Sequence, residues 1–262
     1  MSALTGRIRR LAVAVAAVIV LAAGAYLVLS RSLSGTGTEP ERAVARPDPP
    51  CSVHIGTGED GASVGLSVED ARRATTAVAL EAAGGKGPDT SGIDPAVLER
   101  LREGPPEDAG PSLTCRAATT EGLESEEFSA SGLTPRAEAV LTAVTDTFGE
   151  QSVGGFQPGG LTSGHGTDSA HYLGAAVDVF FRPVSEENRR QGWLLAHWLV
   201  AHAEQFHLAN IIFDDRIWSI SDSQGGWARY QPPSIGVDPD NEILRHVDHV
   251  HVDVQLGEKG DP

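Results

Sequence analysis

The longest apolar stretch of the chain lies near its start and has no polar face. Residues 11–30, LAVAVAAVIVLAAGAYLVLS, carry no charge. Twenty residues at helical rise span about 30 Å, the hydrocarbon thickness of a bilayer. Arg7, Arg9 and Arg10 precede the run. The pattern predicts a single-pass signal-anchor helix in the plasma membrane, with residues 1–10 cytoplasmic and the C-terminal domain extracytoplasmic. The rival reading is a cleaved signal peptide, with AGA at 23–25 as the cleavage site. Tyr26–Leu29 continues the apolar run past that point, which favours the anchor.

Beyond the anchor the apolar positions acquire periods. Residues 31–50 are rich in Ser, Gly, Thr and Pro and read as a linker. LSVEDARRATTAVALEAA predicts a helix. Ser67 is its N-cap, Asp70 stands at the reciprocal position, and Val68, Ala71, Val78 and Ala82 form an apolar face that Thr75 interrupts. DPAVLERLREG predicts a second helix, capped by Asp94 with Pro95 in its first turn. Residues 119–132 are acidic and polar, a second linker. LTPRAEAVLTAVTDTFG then opens a domain over 133–256: Thr134 caps, Ala137, Val140, Leu141 and Val144 face inward, and Gly149 terminates. EENRRQGWLLAHWLVAHAEQFHL predicts a long amphipathic helix that includes His197, His202 and His207. LGAAVDVFF, NIIFDD and HVHVDV read as strands. Residues 257–262 form a tail. Helices and strands mix without regular βαβ alternation, so the fold class is α+β with a mainly antiparallel sheet flanked by helices.

Charge narrows the partners. Of 20 basic and 36 acidic residues, the first 46 positions hold six Arg and two Glu, so nearly all the negative charge falls on the remainder. Such an acidic body repels phosphates, which argues against a nucleic-acid binder. The two cysteines, Cys51 and Cys115, pair if the body lies outside the cytoplasm, and would clasp residues 51–118 as a small module; two unpaired buried thiols are the alternative.

Eight of the nine histidines follow residue 164. HAEQFH lacks the i, i+4 spacing of a metalloprotease helix, so His202 and His207 are set aside. In LGAAVDVFF, Asp178 lies between Val177 and Val179 on a strand apolar on both faces, a costly place for a carboxylate that is neither paired nor coordinated. His171 precedes that strand, and Gly174 permits a turn that folds it back toward Asp178. In DHVHVDV, His249, His251 and Asp253 share one strand face. Two imidazoles beside a buried carboxylate suit a zinc site with three protein ligands and one open position. The alternative is a pair of polar strands with surface histidines.

The stretch SAHYLGAAVD fits Ser-x-His-x-x-Gly-x-Ala-x-Asp through Ser169, His171, Gly174, Ala176 and Asp178, and HVH at 249–251 supplies a downstream His-x-His. Together they resemble the lysostaphin, D-Ala-D-Ala metallopeptidase and hedgehog-type zinc fold, in particular the D-alanyl-D-alanine carboxypeptidase (VanY-like) peptidases. Ile217-Trp218, Gly225-Gly226-Trp227 and Asp248–Val252 are similar to an actinobacterial membrane-anchored extracytoplasmic domain of this type. The resemblance covers about residues 133–256. It implies His171, Asp178 and His251 as ligands of a Zn2+ cofactor and Ser169 as a supporting residue behind them. It implies a membrane-anchored hydrolase that acts on peptidoglycan stem peptides in the cell wall, as carboxypeptidase or endopeptidase. Two positions depart from the family pattern. Position 248 holds Asp where a Glu is frequent, leaving His249 as the expected proton shuttle and Asp248 as the alternative base. Gln157 in GGFQPGG stands where relatives carry a substrate-binding Arg. Both departures favour the alternative of a non-catalytic zinc-containing domain that binds wall peptide or a protein.

Overall fold

The computed structural model describes residues 48–56, 61–106, 110–232 and 241–258. The expected anchor at 11–30 and linker residues 31–47 lie outside the described residues. Among the described residues no helix is long and apolar enough to cross a membrane.

The fold is α+β and both of its sheets are antiparallel. The smaller sheet has the order β2-β1-β3, from β1 (Cys51–Ile55), β2 (Ala62–Leu66) and β3 (Leu113–Cys115). The larger, in the order β4-β5-β9-β6-β7-β8, contains β4 (Val153–Gly154), β5 (Ala176–Phe180), β6 (Leu208–Phe213), β7 (Arg216–Ser219), β8 (Trp227–Arg229) and β9 (His249–Val254). The helices are α1 (Val68–Ala82), α2 (Pro95–Glu103), α3 (Pro135–Phe148) and α4 (Glu186–Ala201).

Local chemistry sets the helix starts. The Ser67 hydroxyl accepts from the Asp70 amide at 3.0 Å and donates to the Asp70 carboxylate at 2.7 Å. Asp94 accepts from Ala96 N, and Thr134 from Ala137 N. Thr75, which breaks the apolar face of α1, is nevertheless buried, because its hydroxyl folds back onto the Ala71 carbonyl at 2.8 Å.

Helix α4 departs from the sequence pattern at both its face and its end. Every residue from Gly192 to Ala201 is buried, so the helix is enclosed rather than amphipathic. Helices α1 and α2 and strand β3 pack on it, and so do β6 and β9 of the larger sheet. It stops at Ala201, short of the expected Leu208. His202 Nδ1 bonds the Trp198 carbonyl at 2.8 Å, residues 202–207 form turns, and His207 takes a left-handed φ of 52°. That reversal returns the chain into β6 alongside β9.

The disulfide Cys51–Cys115 is formed, joining directly opposed residues of β1 and β3. Residues 51–118 do not keep a core of their own. Cys51, Val53, Leu101 and Leu113 belong to the same cluster as Trp193, Leu195, Phe213 and Val250, and Asp48–Pro262 is one compact unit. Three indole N–H groups stitch the two parts: Trp198 to Thr76 Oγ1 (3.1 Å), Trp218 to the Cys115 carbonyl (3.0 Å) and Trp227 to the Leu113 carbonyl (2.9 Å). Trp218 and Trp227 therefore have a packing role that their motif spacing did not disclose. The acidic segment 119–132 is likewise tied down: Glu126 pairs with Arg136 at 3.2 Å, Thr120 N donates to Gln255, and Ser129 and Ser131 both donate to Glu138.

Candidate metal centre

The sheet brings the two motifs together. β5 and β9 pair with Asp178 opposite His251, Phe180 opposite His249 and Ala176 opposite Asp253, so all six residues lie on one face. His171 arrives from a 3-10 turn over Ala170–Leu173. Gly174 ends the turn at φ 65°, and a Cβ there would lie 2.5 Å from the Gly132 carbonyl oxygen, so only glycine closes it. Ser169 caps the turn, accepting from His171 N at 3.4 Å. It orients the backbone of His171 rather than the imidazole.

The side chains of His171, Asp178 and His251 converge in a buried triangle. His171 Nε2 lies 3.1 Å from His251 Nδ1 and 3.3 Å from Asp178 Oδ1, and His251 Nδ1 lies 3.1 Å from the same oxygen. Each ring is held from behind. His171 Nδ1 lies 2.7 Å from the Gly155 carbonyl, so with a metal bound a hydrogen on Nδ1 would donate there and leave Nε2 to the ion. His251 Nε2 faces Asp253 Oδ2 at 3.3 Å, and Asp253 accepts from Asn210 N at 2.8 Å. Gly155 is a second position closed to side chains: a Cβ would stand 2.4 Å from His171 Cε1 and 2.9 Å from Asp178 Oδ2.

The electrostatics are those of a charge-dense buried cluster. Burial pushes the Asp178 carboxyl up, but the hydrogen bonds to His171 and His251 outweigh it and hold the group far below the usual carboxylate range. Burial pushes His251 down, but Asp178 and Asp253 on either side outweigh it and lift the ring to about 9. A cation entering the triangle would compete with protons for these ring nitrogens.

His249 and Asp248 take different places. Asp248 Oδ1 accepts from His249 Nδ1 at 2.7 Å, and Asp248 Oδ2 accepts from Arg182 Nε at 2.6 Å. The carboxylate thus sits behind His249. His249 Nε2 points into the triangle, 3.8 Å from Asp178 Oδ1. Arg182 also lies over the Phe180 ring, 4.1 Å from its centroid. Gln157 does not join the cluster: its amide donates to the carbonyl of Gly160 in its own loop at 3.0 Å.

Two further histidines reach the site without having been assigned to it from the sequence. His165, in SGHG, packs against His171 with ring centroids 4.0 Å apart and the planes tilted by 30°, and His165, His171 and Asp178 each offer a ligand atom within 4.8 Å of one another. That trio can hold a metal ion. His246 lies 4.7 Å from His249 and 5.8 Å from His251, ring to ring, with its backbone at a left-handed φ of 55°. Burial is the largest influence pushing His246 down, to about 3. Neither follows a strand period, since His165 lies in a glycine-rich loop and His246 precedes β9. The only sequence signal for them is their nearness to ligands.

A family model described as VldE, C-terminal domain, matches residues 129–241. The matched span holds His165, His171 and Asp178 and ends before β9, which carries His249 and His251. No curated protein and no solved structure matches the chain.

Proposed function

We propose that this protein is a membrane-anchored, extracytoplasmic zinc peptidase acting on peptidoglycan stem peptides, with His171 Nε2, Asp178 Oδ1 and His251 Nδ1 as the metal ligands. The observation that carries the reading is the size of the ligand triangle. Three corners of a tetrahedral zinc shell with bonds of about 2.0 Å lie about 3.3 Å apart. The three donor atoms here are separated by 3.1–3.3 Å. The donor set of two imidazoles and a carboxylate, each imidazole backed by a carbonyl or carboxylate, suits zinc. A zinc ion held there supplies Lewis acidity that activates water and polarises a scissile carbonyl.

The chain's own residues do the rest. Asp248 fixes the His249 tautomer with the hydrogen on Nδ1, so His249 Nε2 faces the reaction space with a lone pair and moves the proton. Arg182 neutralises Asp248 and keeps it turned away from the triangle. The apolar run at 11–30, the preceding arginines and the Cys51–Cys115 disulfide support an extracytoplasmic location, where a wall peptide is at hand.

The test uses the full-length chain. Metal analysis at near-neutral pH is expected to return one zinc per chain, and absence of zinc overturns the reading. Incubation with muropeptides is expected to release D-Ala or a cleaved cross-link. His249→Ala should keep its zinc and lose about 10²- to 10⁴-fold in turnover. The second reading, a zinc-bearing domain that binds wall peptide without cleaving it, is favoured by the engagement of the Gln157 amide with Gly160. Zinc uptake and muropeptide binding with no product from the wild-type chain would establish it.

A further inference from the structure

Two triads overlap at this site, and they share one edge. His251 completes the first with His171 and Asp178, and His165 completes the second with the same two residues. The ligand atoms of His165, His171 and Asp178 all lie within 4.8 Å of one another, close to the spacing of about 3.3 Å between neighbours in a tetrahedral shell. His165 therefore stands beside the ligand triangle, with its ring 4.0 Å from that of His171.

The loop that carries it combines an anchor with glycines that face open space. Tyr172 Oη accepts from His165 N at 2.9 Å and donates to His165 O at 2.6 Å, so the backbone of His165 is moored to the same turn that carries His171. On either side the loop is glycine: Gly159, Gly160 and Gly164 hold positive φ angles, and a Cβ added at Gly159, Gly164 or Gly166 would meet nothing within 4 Å. The residue is thus held beside the metal position, and Gly159, Gly164 and Gly166 around it face open space.

We propose that His165 is a fourth protein ligand, carried to the metal by the 159–168 loop, so that the site alternates between a closed state with four protein ligands and an open state with three. The inference rests on the zinc reading above and adds regulation to it. In the closed state His165 occupies the position that a water or a substrate carbonyl would need, and withdrawal of His165 exposes it. The fully liganded state then serves as a resting form, in keeping with the rule that structural zinc sites are closed and catalytic ones keep an open position.

The test is spectroscopic and needs no substrate. Zinc affinity of the full-length chain is measured by chelator competition, and the Co2+-substituted protein is followed by visible absorption, for wild type, His165→Ala and Tyr172→Phe. His165→Ala is expected to bind zinc ~10-fold or more weakly, on the scale of losing a group that supports a metal site. Its cobalt spectrum should change when imidazole is added, because the vacated position is filled, whereas the wild-type spectrum should respond far less, because His165 competes for that position. Tyr172→Phe keeps the ligand and loosens its mooring, so its affinity should fall between the two. Equal zinc affinity and equal imidazole response in wild type and His165→Ala overturn the fourth-ligand assignment while leaving the zinc site standing. Failure of the wild-type chain to take up zinc overturns both.

Discussion

His197 stands at the centre of α4 and is fully buried, and its protonation is a quantitative probe of how the two parts of the molecule are joined. Its Nε2 accepts from Ser112 N at 3.1 Å and Leu113 N at 3.3 Å, at the start of β3. With Nε2 receiving two N–H groups the ring must be neutral, and burial pushes its pKa from 6.5 down to about 3. In the unfolded chain the same side chain binds a proton near pH 6.5. Between the two values the unfolded state holds the extra proton, so stability is complete above pH 6.5 and is lost as pH falls toward 3. At about 1.4 kcal/mol per pH unit, the full window is worth about 5 kcal/mol. The measurement is urea unfolding from pH 7 to pH 4.5 with the disulfide intact, on wild type and His197→Gln. At pH 7 the variant should be less stable by about 1–3 kcal/mol, because two buried amides lose or weaken their acceptor. Below pH 6.5 that gap should close by about 1.4 kcal/mol per unit, a change of about 3 kcal/mol by pH 4.5, since the variant has nothing to protonate there. The carboxylates, His202 and His246 titrate in both chains and cancel in the difference. A gap that stays constant from pH 7 to pH 4.5 would refute the argument.

Three other outcomes follow from the geometry. Gly155→Ala places a methyl group 2.4 Å from His171 Cε1 on a backbone with φ 81°, so zinc uptake and thermal stability should both fall; a variant with wild-type zinc affinity would show that the His171 ring is not held by this loop. Asp253→Asn removes the carboxylate behind His251, and chelator competition should find zinc affinity reduced about 10- to 100-fold; an unchanged value would mean that His251 does not need this support. Trp218→Phe leaves the buried Cys115 carbonyl without its indole donor, and denaturant unfolding should register a loss of about 1–3 kcal/mol; no loss would discount the indole bonds as a joint between the two sheets.

The elements and half of the site were legible in the chain because both depend on short-range order. Ser67, Asp94 and Thr134 cap their helices as the pattern requires, since a cap is a contact over two or three residues. The alternation in HVHVDV put His249, His251 and Asp253 on one face, and the apolar flanks of Asp178 marked it as a carboxylate with a partner. Other features had no local signal. The end of α4 at Ala201, ahead of His202 and His207, was set by where β6 must start in order to pair with β9. The union of residues 51–118 with the rest depends on Trp198, Trp218, Trp227 and His197 meeting groups more than 80 residues away. The roles of Asp248 and His249, adjacent in sequence, were separated only when Arg182 arrived from the end of β5 and turned Asp248 away from the triangle. Gln157 was kept out of the site by Gly160, and His165 was brought in by Tyr172. Sequence period decides which face a side chain takes. Which groups share that face's space is decided by the pairing of distant strands and by loops whose course no period describes.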